Sequence, residues 1–77
     1  MPTVARSGKF EFRIYTREKD SHGPHVHVWF GNESIVSIDL YGGNFIQEPP
    51  PGMERDIMRA YRPLAAQLLE AWYKLHK

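Results

Sequence analysis

The chain contains no cysteine, which excludes disulfide staples, thiolate zinc ligands and thiol nucleophiles together. Net charge is almost absent as well. Ten Lys and Arg stand against nine Asp and Glu, +1 with the four histidines neutral, so a polybasic arm is not the device by which it would hold a nucleic acid. No run approaches the ~18 apolar residues of a membrane span, and the opening Met1-Pro2-Thr3-Val4-Ala5-Arg6 lacks the apolar core of a secretion signal. A cytoplasmic protein with no membrane association is expected. Six prolines and six glycines in 77 residues are too few for a low-complexity chain, and 42% hydrophobic content is too high for a disordered one. Gly42-Gly43 is not followed by a P-loop lysine, and no Ser/His/Asp triad emerges from the spacing. A single globular domain over residues 1–77 is what these exclusions leave.

Aromatic residues are plentiful: four Phe, four Tyr and two Trp, each able to bury ~150–250 Å². They matter because a core in a chain of this size rarely supplies more than ~3–5 kcal/mol. Either this aromatic core lets the chain fold alone, or a homodimer or a bound partner supplies the rest. Charge is uneven along the chain. Residues 1–20 carry net +2, residues 21–56 net −4 and residues 57–77 net +3.

Three segments alternate as half-buried strands do. Phe10, Phe12, Ile14 and Thr16 share one face of 9–17; Val26, Val28 and Phe30 share one face of 24–30; Val36, Ile38 and Leu40 share one face of 34–41. Opposed residues of an antiparallel pair point to the same side. A two-residue turn at Gly31-Asn32 would set His27 against Val36, whereas a three-residue loop Gly31-Asn32-Glu33 opposes Val28 to Val36, Val26 to Ile38, His27 to Ser37 and His25 to Asp39. The three-residue loop is therefore expected. Asn44–Gln47 reads as a short extended piece, and Pro49-Pro50-Pro51 as a stiff connector.

The remainder reads as helix. Ile57, Tyr61, Leu64, Leu68, Trp72 and Leu75 recur at three- and four-residue spacing, Gly52 serves as N-cap, and Glu54 and Asp56 suit the first turn. Pro63 interrupts it, since an interior proline costs ~3 kcal/mol in a straight helix. A kink near Arg62–Pro63 is predicted, with both halves on the same sheet face. The expected fold is α+β: a three-stranded antiparallel sheet in the order β-β-β-α, with one face under the helix and the other open.

The stretch His22-Gly23-Pro24-His25-Val26-His27-Val28 holds three of the four histidines. A period of two sets His25 and His27 side by side on the polar face, near Asp39 and Ser37 on one side and Arg13, Tyr15 or Arg17 on the other. Two imidazoles with an orienting carboxylate form an acid–base pair, and an arginine beside them holds a phosphate. That suffices for metal-independent ribonuclease chemistry, in which the RNA 2′-hydroxyl is the nucleophile. Three other readings compete. The histidines can simply solvate the face. His25 and His27 with Asp39 or His22 offer the nitrogens and oxygen of a metal site. Tyr15, Trp29 and Tyr41 beside Arg13 and Arg17 can stack RNA bases or meet a protein. Trp29 stands where the run of a histidine-triad hydrolase needs its third histidine, so that family is excluded. His76 is placed at a fraying C-terminus and Trp72 in the core.

Met1-Pro2-Thr3-Val4, Phe10–Tyr15, Gly23-Pro24-His25-Val26-His27-Val28 and Leu68–Trp72 together resemble domain-of-unknown-function family 4160. Its members are small bacterial proteins with a Pro-Pro-His-Val-His-Val-type strand; here Gly23 stands where the family usually has proline. The resemblance implies a cytoplasmic protein from a toxin–antitoxin-like gene pair, acting on or binding RNA and meeting a cognate small protein. The expected site is therefore His25, His27 and Asp39 as the catalytic group, with Arg13, Tyr15, Arg17, His22 and Trp29 binding substrate and no cofactor. The alternative is a non-enzymatic module that binds a protein partner.

Overall fold

The computed structural model describes residues 3–15 and 23–76. Within them lies an antiparallel meander of four strands in chain order: β1 (Thr3–Ser7), β2 (Phe10–Arg13), β3 (His25–Phe30) and β4 (Glu33–Asp39). The three expected strands are β2, β3 and β4. The fourth corrects the sequence reading. β1 is short and shows no alternation of apolar residues, yet it pairs with β2 from Ser7↔Phe10 to Thr3↔Arg13. The signal for it was the turn. Gly8 adopts φ +58°, which a hairpin with glycine first of two turn residues requires.

The β3–β4 turn is a second correction. Phe30 pairs with Glu33 across a two-residue turn, Gly31-Asn32, not a three-residue loop. Trp29 pairs with Ser34 and Val28 with Val36, so Ile35 is an extra residue bulged out of β4. The bulge shifts the register by one and restores what a two-residue turn would have inverted. Beyond it the pairs are as expected: Val28↔Val36, His27↔Ser37, Val26↔Ile38 and His25↔Asp39. The extended piece after Gly43 runs along the outer edge of β4, where Phe45 bridges Ile38 and the Ile46 amide donates to the Ser37 carbonyl at 2.9 Å. Gln47 Oε1 accepts the Ser37 amide at 2.8 Å. These contacts satisfy backbone groups that an edge strand would otherwise present.

The C-terminal segment is α1 (Glu54–Tyr61), a 3₁₀ turn (Arg62–Leu64) and α2 (Ala65–Leu75). Pro63 sits inside the 3₁₀ turn, where its missing N–H costs no helical bond. The interruption is thus where the sequence put it. The N-cap is Met53 rather than Gly52; Gly52, at φ +80°, belongs to the preceding turn. Ile57, Ala60 and Tyr61 from α1 and Leu68 and Trp72 from α2 join Phe10, Phe12, Ile14, Val26, Val28, Val36, Ile38 and Leu40 in one core. Both helical halves therefore cover the same sheet face. No described helix is long and apolar enough to cross a membrane.

Candidate functional site

On the opposite face, β2 and β3 carry alternate residues outward. Glu11 lies across from Trp29 and Arg13 across from His27, while His27 and His25 lie across from Ser37 and Asp39. The expected histidine pair is there: the two rings are 5.2 Å apart between centroids and edge-on at 72°. Their surroundings differ sharply. His25 is only 4% exposed, with its ring 5.2 Å from that of Trp72 on α2. Its Nδ1 lies 2.9 Å from the Gly23 carbonyl. A carbonyl only accepts, so Nδ1 carries the proton in that bond. His27 is half-buried, stacked on Tyr15 at 4.3 Å, with Nδ1 3.2 Å from Ser37 Oγ.

Asp39 faces His25 in register, but its carboxylate serves the turn that ends β4. Oδ1 accepts the Tyr41 amide at 3.0 Å and Oδ2 the Gly42 amide at 3.3 Å, and the Asp39 carbonyl accepts the Gly43 amide at 2.7 Å. The orienting part given to Asp39 by the sequence reading is played by the Gly23 carbonyl. Asp39 also acts on a neighbour across the core. Burial, and then the negative charge of Asp39, push the Tyr61 phenol above its usual pKa.

Arg13, Tyr15 and Trp29 do come together. The Arg13 guanidinium lies over the Trp29 ring, 4.0 Å from its centroid. Glu11 Oε2 accepts from Arg13 Nη2 at 2.9 Å and Nε at 3.2 Å, and Arg6 approaches the same carboxylate at 3.5 Å. Trp29 Nε1 donates to the Tyr15 hydroxyl at 3.0 Å. Beside His27 the face dips into a hollow of about 360 Å³, lined also by Ser34, Ile35, Ser37 and Gln47. Tyr41 does not join this surface. It lies beyond β4, and its hydroxyl meets that of Tyr73 on α2 at 2.7 Å. Arg17 and His22, both expected to bind substrate, lie outside the described residues.

One further participant, His76, carries no strong signal in the sequence. His76 does not fray; it stacks on Trp72 at 3.7 Å and 16°. Its Nδ1 lies 3.0 Å from the Trp72 carbonyl and its Nε2 3.1 Å from the Tyr15 carbonyl. The i,i+4 spacing of Trp72 and His76 was the available signal. Through it the end of α2 is fastened to the chain just after β2, and Trp72 closes over His25. Among the described residues no three His, Asp or Glu side chains converge as a metal ion would need; His22, the other third ligand of the metal reading, lies outside them.

A family model described as Domain of unknown function (DUF4160) matches residues 10–77. No curated protein and no solved structure matches the chain.

Proposed function

The chain belongs to the DUF4160 family, and on that premise we propose that it is a non-catalytic interaction module whose open sheet face docks a cognate protein. The supporting observation is that the polar groups of this face are spent on one another. Glu11 holds Arg13, Arg13 covers Trp29, Trp29 donates to Tyr15, and Tyr15 stacks on His27. A surface that binds an RNA backbone needs cations ready to exchange counterions for phosphates. Here a phosphate would have to displace Glu11 from Arg13 and would then be repelled by it. A protein surface imposes no such exchange. Trp, Tyr and Arg held in fixed poses are the side chains that carry binding energy between proteins, because little conformational entropy is left to lose. The hollow beside His27 gives a partner's side chain a seat.

A second reading keeps RNA as the target, with His27 as the reactive imidazole, and rests on that ring lying at the surface beside the hollow. His25, the second group expected for it, is enclosed by Trp72 and the Gly23 carbonyl, and among the described residues no other imidazole lies beside His27. Isolating the tagged protein from its source cells separates the two. A stoichiometric protein partner and no cleavage of added RNA is the expected outcome. Metal-independent RNA cleavage by partner-free protein, abolished in His27→Ala, would establish the second reading instead.

A further inference from the structure

The described cations divide cleanly. Arg6 and Arg13 pair with Glu11, Lys9 with Asp56 at 4.0 Å and Lys74 with Glu70. Arg55, Arg59 and Arg62 pair with none, and all three are exposed. They are also neighbours. Spacings of four and three residues put them on one side of α1 and the turn that follows it, opposite the buried Ile57, Ala60 and Tyr61. The only acid within a turn of Arg59 on that flank, Asp56, is already engaged by Lys9. Like charges at these spacings repel, and no described carboxylate is in ion-pair contact with any of the three. The three arginines border a groove of about 560 Å³ with Met58 and Pro63, and with Glu54 at one end.

We propose that this arginine groove is a second docking surface, separate from the sheet face, and that it takes an acidic peptide segment bearing apolar side chains. Guanidinium groups recognise carboxylates through paired hydrogen bonds. Met58 is adaptable and, with Pro63, offers an apolar seat between those charges. The stripe covers roughly 10 Å of helix at 1.5 Å per residue, the reach of two or three acidic side chains on a partner segment. The groove suits nucleic acid less well. No aromatic ring lines it for a base to stack on, and the Glu54 carboxylate would oppose a phosphate backbone running its length. A peptide can keep its carboxylates to the arginine end.

Fluorescence anisotropy with the full chain tests this. The probe is a labelled peptide of about twelve residues alternating Glu and Leu at helical spacing, long enough to span the stripe. Its controls are the same peptide with Gln for Glu and an oligouridylate of equal length. The Glu peptide is expected to bind, to weaken as salt rises, and to lose at least about tenfold in affinity when Gln replaces Glu. The triple variant Arg55→Ala, Arg59→Ala, Arg62→Ala should lose as much with its melting temperature unchanged, because no described ion pair is broken. Trp29→Ala should bind the peptide normally, so a failure of the sheet-face reading would not register here. Absence of binding, equal binding by the triple variant, or an oligouridylate bound as tightly as the Glu peptide would each overturn the proposal.

Discussion

His25 and His27 are two residues apart on one strand, yet a cavity forms if the first is removed and only a surface contact is lost with the second. The His25 ring fills space against Trp72 and donates to the Gly23 carbonyl. We expect His25→Ala to cost about 2–3 kcal/mol, the sum of lost packing and a buried hydrogen bond. His27→Ala, which gives up stacking on Tyr15 and a contact with Ser37, should cost under about 1 kcal/mol. Thermal denaturation followed by circular dichroism distinguishes these, since 1 kcal/mol moves the midpoint of a domain this size by roughly 4–8 °C. Equal, negligible shifts would mean that His25 is not an interior residue. Tyr61 gives a pH signature. Its pKa is raised in the folded state by burial and by Asp39, so the unfolded chain ionises first on going alkaline. The associated stability is fully present below the unfolded value of about 10 and is lost as pH rises through the folded one. Urea midpoints should therefore fall above about pH 10, and less steeply in Tyr61→Phe. At this scale the period-two pattern was enough to put both imidazoles on one face. What it could not show was which of them a distant tryptophan would cover, because that depends on where the end of α2 comes to rest.

The elements divide in the same way between local and long-range causes. Strands β2, β3 and β4, the edge piece after Gly43 and the break at Pro63 all follow from alternation, glycine and proline chemistry, and were legible. β1 was not, because its place comes from pairing with β2 and not from a pattern of its own. The bulge at Ile35 was hidden for a subtler reason. Val28 must face Val36 for the two apolar faces to meet, but a longer loop and a shorter turn plus one extra residue satisfy that condition equally. The bulge makes a sharp prediction. Deleting Ile35 leaves Ser34 opposite Trp29 and Val36 opposite Val28, a regular ladder. That variant should unfold cooperatively at a cost of about 1–2 kcal/mol. Deleting Ile35 and Val36 together instead brings Ser37 opposite Val28, slips the rest of β4 by one residue and turns its apolar side chains outward, and should leave no cooperative transition. If both deletions behave alike in thermal melts, the bulge is not what sets the register.

For the molecule as a whole, a sheet with one face under the helices leaves two outward surfaces of opposite character. The sheet face is aromatic and internally neutralised; the helix face carries unpaired arginines. A net charge of +1 averages over the two, which is why composition alone could exclude a polybasic arm but not find the stripe. The expectation of a ribonuclease pair came from reading His25 and His27 as equals. The structure makes one of them part of the interior and ties Arg13 to Glu11, which is why docking is the function we propose.

Calorimetric titration of the isolated partner into wild-type protein and Trp29→Ala tests that reading most directly. Trp29 lies at the centre of the self-paired face, so its truncation should weaken binding at least about thirtyfold, the signature of a side chain carrying 2 kcal/mol or more of the interface. Loss of the hydrogen bond to Tyr15 and the Arg13 contact should cost about 1 kcal/mol and lower the melting temperature by about 4–8 °C, leaving the variant folded at 25 °C. A variant that stays folded and binds the partner as tightly as wild type would contradict it.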